Sequence, residues 1–135
     1  MSVYTQNQKY KDVLKDLEAD GFSDAIFAAD FKTIKVTLDT GTSSDFDLVI
    51  YGSNEFLTPP DLSQAASANN EYFTLGYTDE ADGVSYSTTP FNPSGAKSKQ
   101  FNVDTTGVRW IFVAIENFAD GSVNRCDVDL FSNFN

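Results

Sequence analysis

Two aspartate pairs, Asp45 with Asp47 and Asp127 with Asp129, stand two residues apart in segments that alternate like strands, so each pair projects from one face. A pair of neighbouring carboxyls is all that glycoside hydrolysis requires, provided burial keeps one of them protonated. Both pairs fall opposite the apolar residues of their segments, on the solvent side, and no catalytic residue is expected. The turn Asp79-Glu80-Ala81-Asp82-Gly83 comes nearest to a calcium loop. An EF-hand needs Asp or Asn at alternate positions, Gly at the sixth and Glu at the twelfth. Here Ala81 breaks the alternation, Gly83 arrives one residue early and Pro90 stands at the twelfth, so no metal is expected. Tyr51, Tyr72, Tyr77 and Tyr86 could stack on the apolar faces of sugar rings, whereas Trp110 lies in the most apolar segment and reads as core. Cys126 shares a face with Val128 and Leu130, as a small buried thiol would. Gly41, Gly52 and Gly121 read as turn glycines, and none belongs to a phosphate-cradling pattern.

Composition narrows the chemistry further. The chain has 135 residues, no histidine and one cysteine. That removes Ser-His-Asp and Cys-His nucleophiles, imidazole metal sites, internal disulfides and cysteine-based clusters. A single domain of this size hides roughly 65–70% of its extended surface and needs no covalent staple. No apolar run is long enough to span a bilayer, and the N-terminal segment does not read as a signal peptide. The absence of any N-x-[ST] sequon gives no hint of a glycosylated extracellular module. The net charge is −11, and it is unevenly spread: residues 36–96 hold nine acids and no lysine or arginine. Such a stretch repels phosphate backbones and anionic lipid, so neither nucleic acid nor a membrane is an expected partner.

The elements that must position these residues fall into two zones. In residues 8–19, Tyr10, Val13, Leu14 and Leu17 recur at i, i+3, i+4 and i+7, one stripe of an amphipathic helix closed by Asp20-Gly21. So short a helix must pack against something to persist. Beyond Phe22 the period becomes that of strands. Ile34, Val36 and Leu38 share one face, and Phe46, Leu48 and Ile50 another; joined by the turn-rich Thr40–Ser44 link, they predict a hairpin. Residues 53–70 read as an irregular excursion, 71–77 as a strand with Phe73, Leu75 and Tyr77 on one side, and 84–89 as a weaker strand. Phe101 and Val103 point inward from 99–103. Val108 to Ile115 is apolar on both faces except at Arg109, as in a strand covered on both sides. Asp120-Gly121 signals a hairpin turn into Val123–Phe131, with Cys126, Val128 and Leu130 inward and Asp127 and Asp129 outward. The expected architecture is all-β: an antiparallel, jelly-roll-like β-sandwich of about eight strands with a short N-terminal amphipathic helix. Residues 1–21 form the arm and helix of this reading, and residues 22–135 the sandwich domain.

Three stretches carry a resemblance: DFDLVIYGSNEFLTPPDLSQAASANNEYFTLGYTD (45–79), FNVDTTGVRWIFVAIENF (101–118) and GSVNRCDVDLFSN (121–133). Together they resemble small virion proteins of tailed bacteriophages, in which a strand ending in a Tyr-Gly-Ser turn precedes a Pro-Asp loop and an Asn-rich turn. Later in that group Gly-Val/Leu-Arg-Trp leads into an apolar strand, and the closing strand ends near Leu-Phe. The resemblance implies a non-enzymatic β-sandwich that decorates a capsid, often as a homotrimer bridging capsid subunits on the outer shell. Its partners would be the major capsid protein or other virion proteins, and its site of synthesis the host cytoplasm. No catalytic, cofactor or metal residue carries over.

Tyr4, Tyr10, Val13, Leu14 and Leu17 are then the expected attachment or oligomer surface, on an arm beginning MSVYTQNQ that a partner holds. The acidic middle would face solvent. The alternative is a carbohydrate-binding or host-adhesion module of a fibre or tail, built on the exposed tyrosines. A hydrolase would need a buried acid pair.

Overall fold

The computed structural model describes residues 4–56, 58–60, 62, 71–79 and 86–134; side chains are described from residue 7 to residue 132. Among the described residues eleven strands follow one another: β1 (Tyr4–Leu17), β2 (Gly21–Phe22), β3 (Ile26–Phe27), β4 (Thr33–Thr40), β5 (Asp45–Ser53), β6 (Phe73–Thr74), β7 (Tyr77–Asp79), β8 (Tyr86–Ser87), β9 (Ser98–Asp104), β10 (Trp110–Asp120) and β11 (Val123–Phe134). They build two antiparallel sheets. The six-stranded sheet runs β1-β11-β4-β9-β7-β8, and the five-stranded sheet runs β2-β10-β5-β6 with β3 also on β10. Setting aside β3, β7 and β8, the remaining strands interleave as β1-β11-β4-β9 and β2-β10-β5-β6.

The inner faces of both sheets feed one core. Ile34, Val36 and Leu38 of β4 and Cys126, Val128 and Leu130 of β11 meet Phe46, Leu48 and Ile50 of β5 and Ile111, Val113 and Ile115 of β10. Each set follows the two-residue period of its strand, so every second side chain leaves water while its neighbours face outward.

Residues 8–19 are not a helix. Residues 8–17 lie in β1, antiparallel to β11, and the described residues contain no helix. The helical spacing has a strand explanation. Tyr10 pairs with Val128 and Leu14 with Cys126, so three residues of β1 oppose the single Asp127. This bulge keeps Tyr10 and Leu14 on the same inward side four residues apart. From Leu14 the register runs on unbroken, and with Asp16 at φ 49° Leu17 stands opposite the buried Val123. One bulge and one left-handed residue thus imitate a 3.6-residue period, and pairing with β11 outweighs the helix propensity of QKYKDVLKDLEA. Nor does Asp20-Gly21 close a helix: Gly21 begins β2.

The two predicted hairpins are crossings between sheets. β4 and β5 share no ladder, and neither do β10 and β11. Alternation fixes which face is buried but not whether the partner lies beside the strand or across the core. The two crossing turns meet at one end, where Gly121 (φ +89°) lies so close to Ser44 that a Cβ there would strike its backbone. Ser44 Oγ donates to the Gly41 carbonyl at 2.7 Å and accepts the Ser122 amide at 3.2 Å, tying one turn to the other. The predicted strand at 71–77 is likewise two short strands in different sheets. Gly52 lies within β5, where a Cβ would meet Val108, Phe73 and Leu75.

Candidate assembly surface

The two outer faces differ in chemistry. On the six-stranded sheet the outer face is ionic. Arg125 Nη2 donates to Asp127 at 2.8 Å and its Nε lies 3.5 Å from Asp12, and Lys9 stands 3.8 Å from Asp129. The Lys99–Asp79 pair, 2.8 Å long, falls instead on the inner side of this sheet, in register with Leu38 and Phe101. Asp127 was expected to face water; it is only 6% exposed. The bulge of β1 covers it, and Asp127 Oδ1 accepts the backbone amide of Asp12 at 2.8 Å, which steadies that residue at φ 54°. One buried carboxylate with a guanidinium and an amide as partners therefore pins β1 to the sheet.

On the five-stranded sheet the outer face is aromatic. Register places Phe22 opposite Ala114, Phe27 opposite Trp110 and Tyr51 opposite Phe112, so all six share this face. Tyr51 stacks on Phe112 with centroids 5.0 Å apart, Tyr72 meets Phe112 edge-on at 5.0 Å, and Phe27 meets Trp110 edge-on at 5.1 Å. Phe112, Ala114 and Val49 are buried here outside the main core, as the two-sided apolar pattern of β10 predicts. Phe22 remains 52% and Phe27 42% exposed. Carboxylates rim this face: Tyr51 donates to Glu116 at 2.6 Å, and Asp47 accepts from Asn117 at 2.9 Å. Burial, followed by that bond to Glu116, raises the Tyr51 phenol far above its ordinary pKa.

The sequence-derived candidates distribute as follows. Leu14 is in the core, and Tyr10, Val13 and Leu17 pack against it, so their apolar surface serves this chain's own domain. Tyr4 pairs with Phe134, but its side chain and the first residues of the arm lie outside the described residues. Among the described residues β1 pairs on one side only. Of the four tyrosines, only Tyr51 and Tyr72 come together, 5.2 Å apart. Tyr77 belongs to the other sheet and donates to the Thr89 carbonyl at 2.8 Å, beside an outlying Tyr86. Asp79 is held by Lys99, and residues 80–83 of the calcium-like turn lie outside the described residues. No metal-sized cluster of acidic or cysteine ligands occurs among the described residues, nor any helix long and apolar enough to cross a membrane. Cys126 is fully buried, and burial pushes its thiol pKa up to about 12. Sequence reasoning missed Phe22 and Phe27, because two-residue strands carry no readable period.

No family model matches the chain, and no curated protein matches it by sequence. Among solved structures it is similar to one described as the crystal structure of SPBc2 prophage-derived protein YomS, with a TM-score of 0.68, 98% of each chain covered and 10% sequence identity. At that identity the likeness is one of fold. From end to end, this chain shares the architecture of a prophage-derived protein.

Proposed function

We propose that this protein is a non-enzymatic structural component of a tailed-phage particle: a jelly-roll capsid decoration protein that attaches through the outer face of its five-stranded sheet. In this reading it is made in the host cytoplasm and joins the outer shell as a homotrimer that bridges major capsid subunits. The observation that carries the proposal is the aromatic outer face, with Phe22 and Phe27 half exposed around Trp110 and Phe112. Large apolar side chains grouped on one sheet face mark a surface that a partner covers. At about 25 cal/mol per Å² of apolar area, less the cost of ordering, a modest contact repeated over a shell becomes a substantial stabilisation. The full-length fold likeness to a prophage-derived protein supports the phage setting, and the interleaved order of the eight principal strands supports the jelly roll.

The test is quantitative mass spectrometry of purified particles from cells that encode the protein. The proposal expects many copies per particle, lost when Phe22→Ser and Phe27→Ser are combined, and bare particles that open at lower temperature. Absence from the particles would refute it. Saturable binding to a glycan array, abolished by Tyr51→Ala or Tyr72→Ala, would favour an adhesion module instead.

A further inference from the structure

Arg109 interrupts an otherwise apolar segment. It directly precedes β10, between Val108, which enters the core, and Trp110, which faces outward. It stands at the end of the sandwich opposite the Ser44 turns. Its backbone is gripped from both sides: the amide donates to Asn54 Oδ1 at 2.9 Å and the carbonyl accepts from the Ala28 amide at 2.7 Å. The guanidinium carbon lies 4.9 Å from the ring centre of Phe56, which is itself 71% exposed. Nε of Arg109 is buried with no hydrogen-bond partner. A desolvated donor on a charged group ordinarily finds an acceptor. In a chain where acids outnumber bases 20 to 9, no carboxylate among the described residues takes this one.

The place has room for an acceptor. Arg109 lines a cleft of about 250 Å³ with Asn54, Ala29 and Gly107. A neighbouring cleft of about 360 Å³ shares Ala29 and Gly107 as walls and brings in Lys32 and the exposed Thr106. Gly107 has φ +81° and open space where a Cβ would stand, so the wall between the clefts is low. Asp30 also lines the wider cleft.

We propose that Arg109, with Lys32 across the shared wall, forms an oxyanion-binding site at this end of the sandwich, taking a carboxylate or a phosphate group. The guanidinium fork suits two oxygens of one planar or tetrahedral group, and the Phe56 ring holds it ready. This site is separate from the aromatic face and does not rest on the attachment reading.

The test is a proton–nitrogen NMR titration of the full chain with sodium phosphate and, separately, sodium acetate, following the Arg109 Nε–H and Gly107 amide signals against sodium chloride of equal ionic strength. Saturable shifts at both signals are expected, with binding at least tenfold weaker in Arg109→Gln and reduced in Lys32→Gln. Saturation by phosphate alone assigns a phosphate group; saturation by acetate as well assigns a carboxylate. The dispersion of core amide signals checks that Arg109→Gln is folded. If it is not, Arg109→Lys, which keeps the charge without the fork, replaces it with the same expected loss. Shifts that never saturate, that match chloride, or that persist undiminished in the variants overturn the proposal.

Discussion

The two sheets are built on the same inner core and finished differently outside. Across the six-stranded sheet, β1, β11, β4 and β9 turn outward with lysine, aspartate, arginine and threonine, and their ion pairs lie mostly in water. Across the five-stranded sheet, β2, β3, β5 and β10 turn outward with phenylalanine, tryptophan, tyrosine and valine. One outer face is finished for solvent; the other holds a second apolar layer, part of it still exposed. The difference teaches where stability resides, because removing a solvated ion pair and removing a buried ring have very different costs.

The sharpest way to break this comparison is Phe112→Ala. The ring is buried on an outer face between Tyr51 and Tyr72, so denaturant unfolding is expected to show a loss of about 3–5 kcal/mol, as for a core phenylalanine. A loss below about 1 kcal/mol would mean the second layer is not packed. Next comes Asp127→Ala, the one buried carboxylate of the ionic face. It leaves the Asp12 amide without its acceptor and Arg125 with the longer Asp12 contact alone, and is expected to cost about 2–3 kcal/mol, with faster amide exchange in β1.

Alkaline pH probes both sheets at once. Burial raises the Cys126 thiol to about 12, and burial with Glu116 raises the Tyr51 phenol still further. A group whose folded pKa lies above its unfolded value favours the folded state fully at lower pH, and that contribution disappears as pH climbs through the folded value. Stability should therefore fall from the ordinary thiol range upward, less steeply in Tyr51→Phe, and native Cys126 should resist thiol reagents at neutral pH. The smallest effects belong to the rim. Lys9→Ala removes an exposed pair and should change stability by less than about 0.5 kcal/mol. Phe27→Ser should cost little in the isolated protein while weakening attachment to particles.

The strand faces were legible wherever a segment held a regular two-residue period. The inward sets of β4, β5, β9 and β11 could be read from Ile34 to Leu130, and β10 announced its double burial through VRWIFVAI. Partners were not legible, because a strand with one apolar face can pair beside its neighbour or face it across the core. β1 misled for a different reason: a bulge around Asp12 and a left-handed backbone at Asp16 give it the helical period, and only the folded backbone and its ladder to β11 reveal them. Of the candidate surfaces, Arg109 stood out in the sequence as the single charge in its segment. The aromatic face did not, since it assembles Phe22, Phe27, Tyr51 and Trp110 from four strands, two of them two residues long.

The central claim is that the aromatic face, not the ionic one, meets the particle. Amide hydrogen exchange, compared between the free protein and the protein on purified particles, tests it most directly. Added protection is predicted in β2 and β3, with β1 and β11 unchanged. Protection confined to β1 and the outer face of the six-stranded sheet would contradict the account and place attachment on the ionic side.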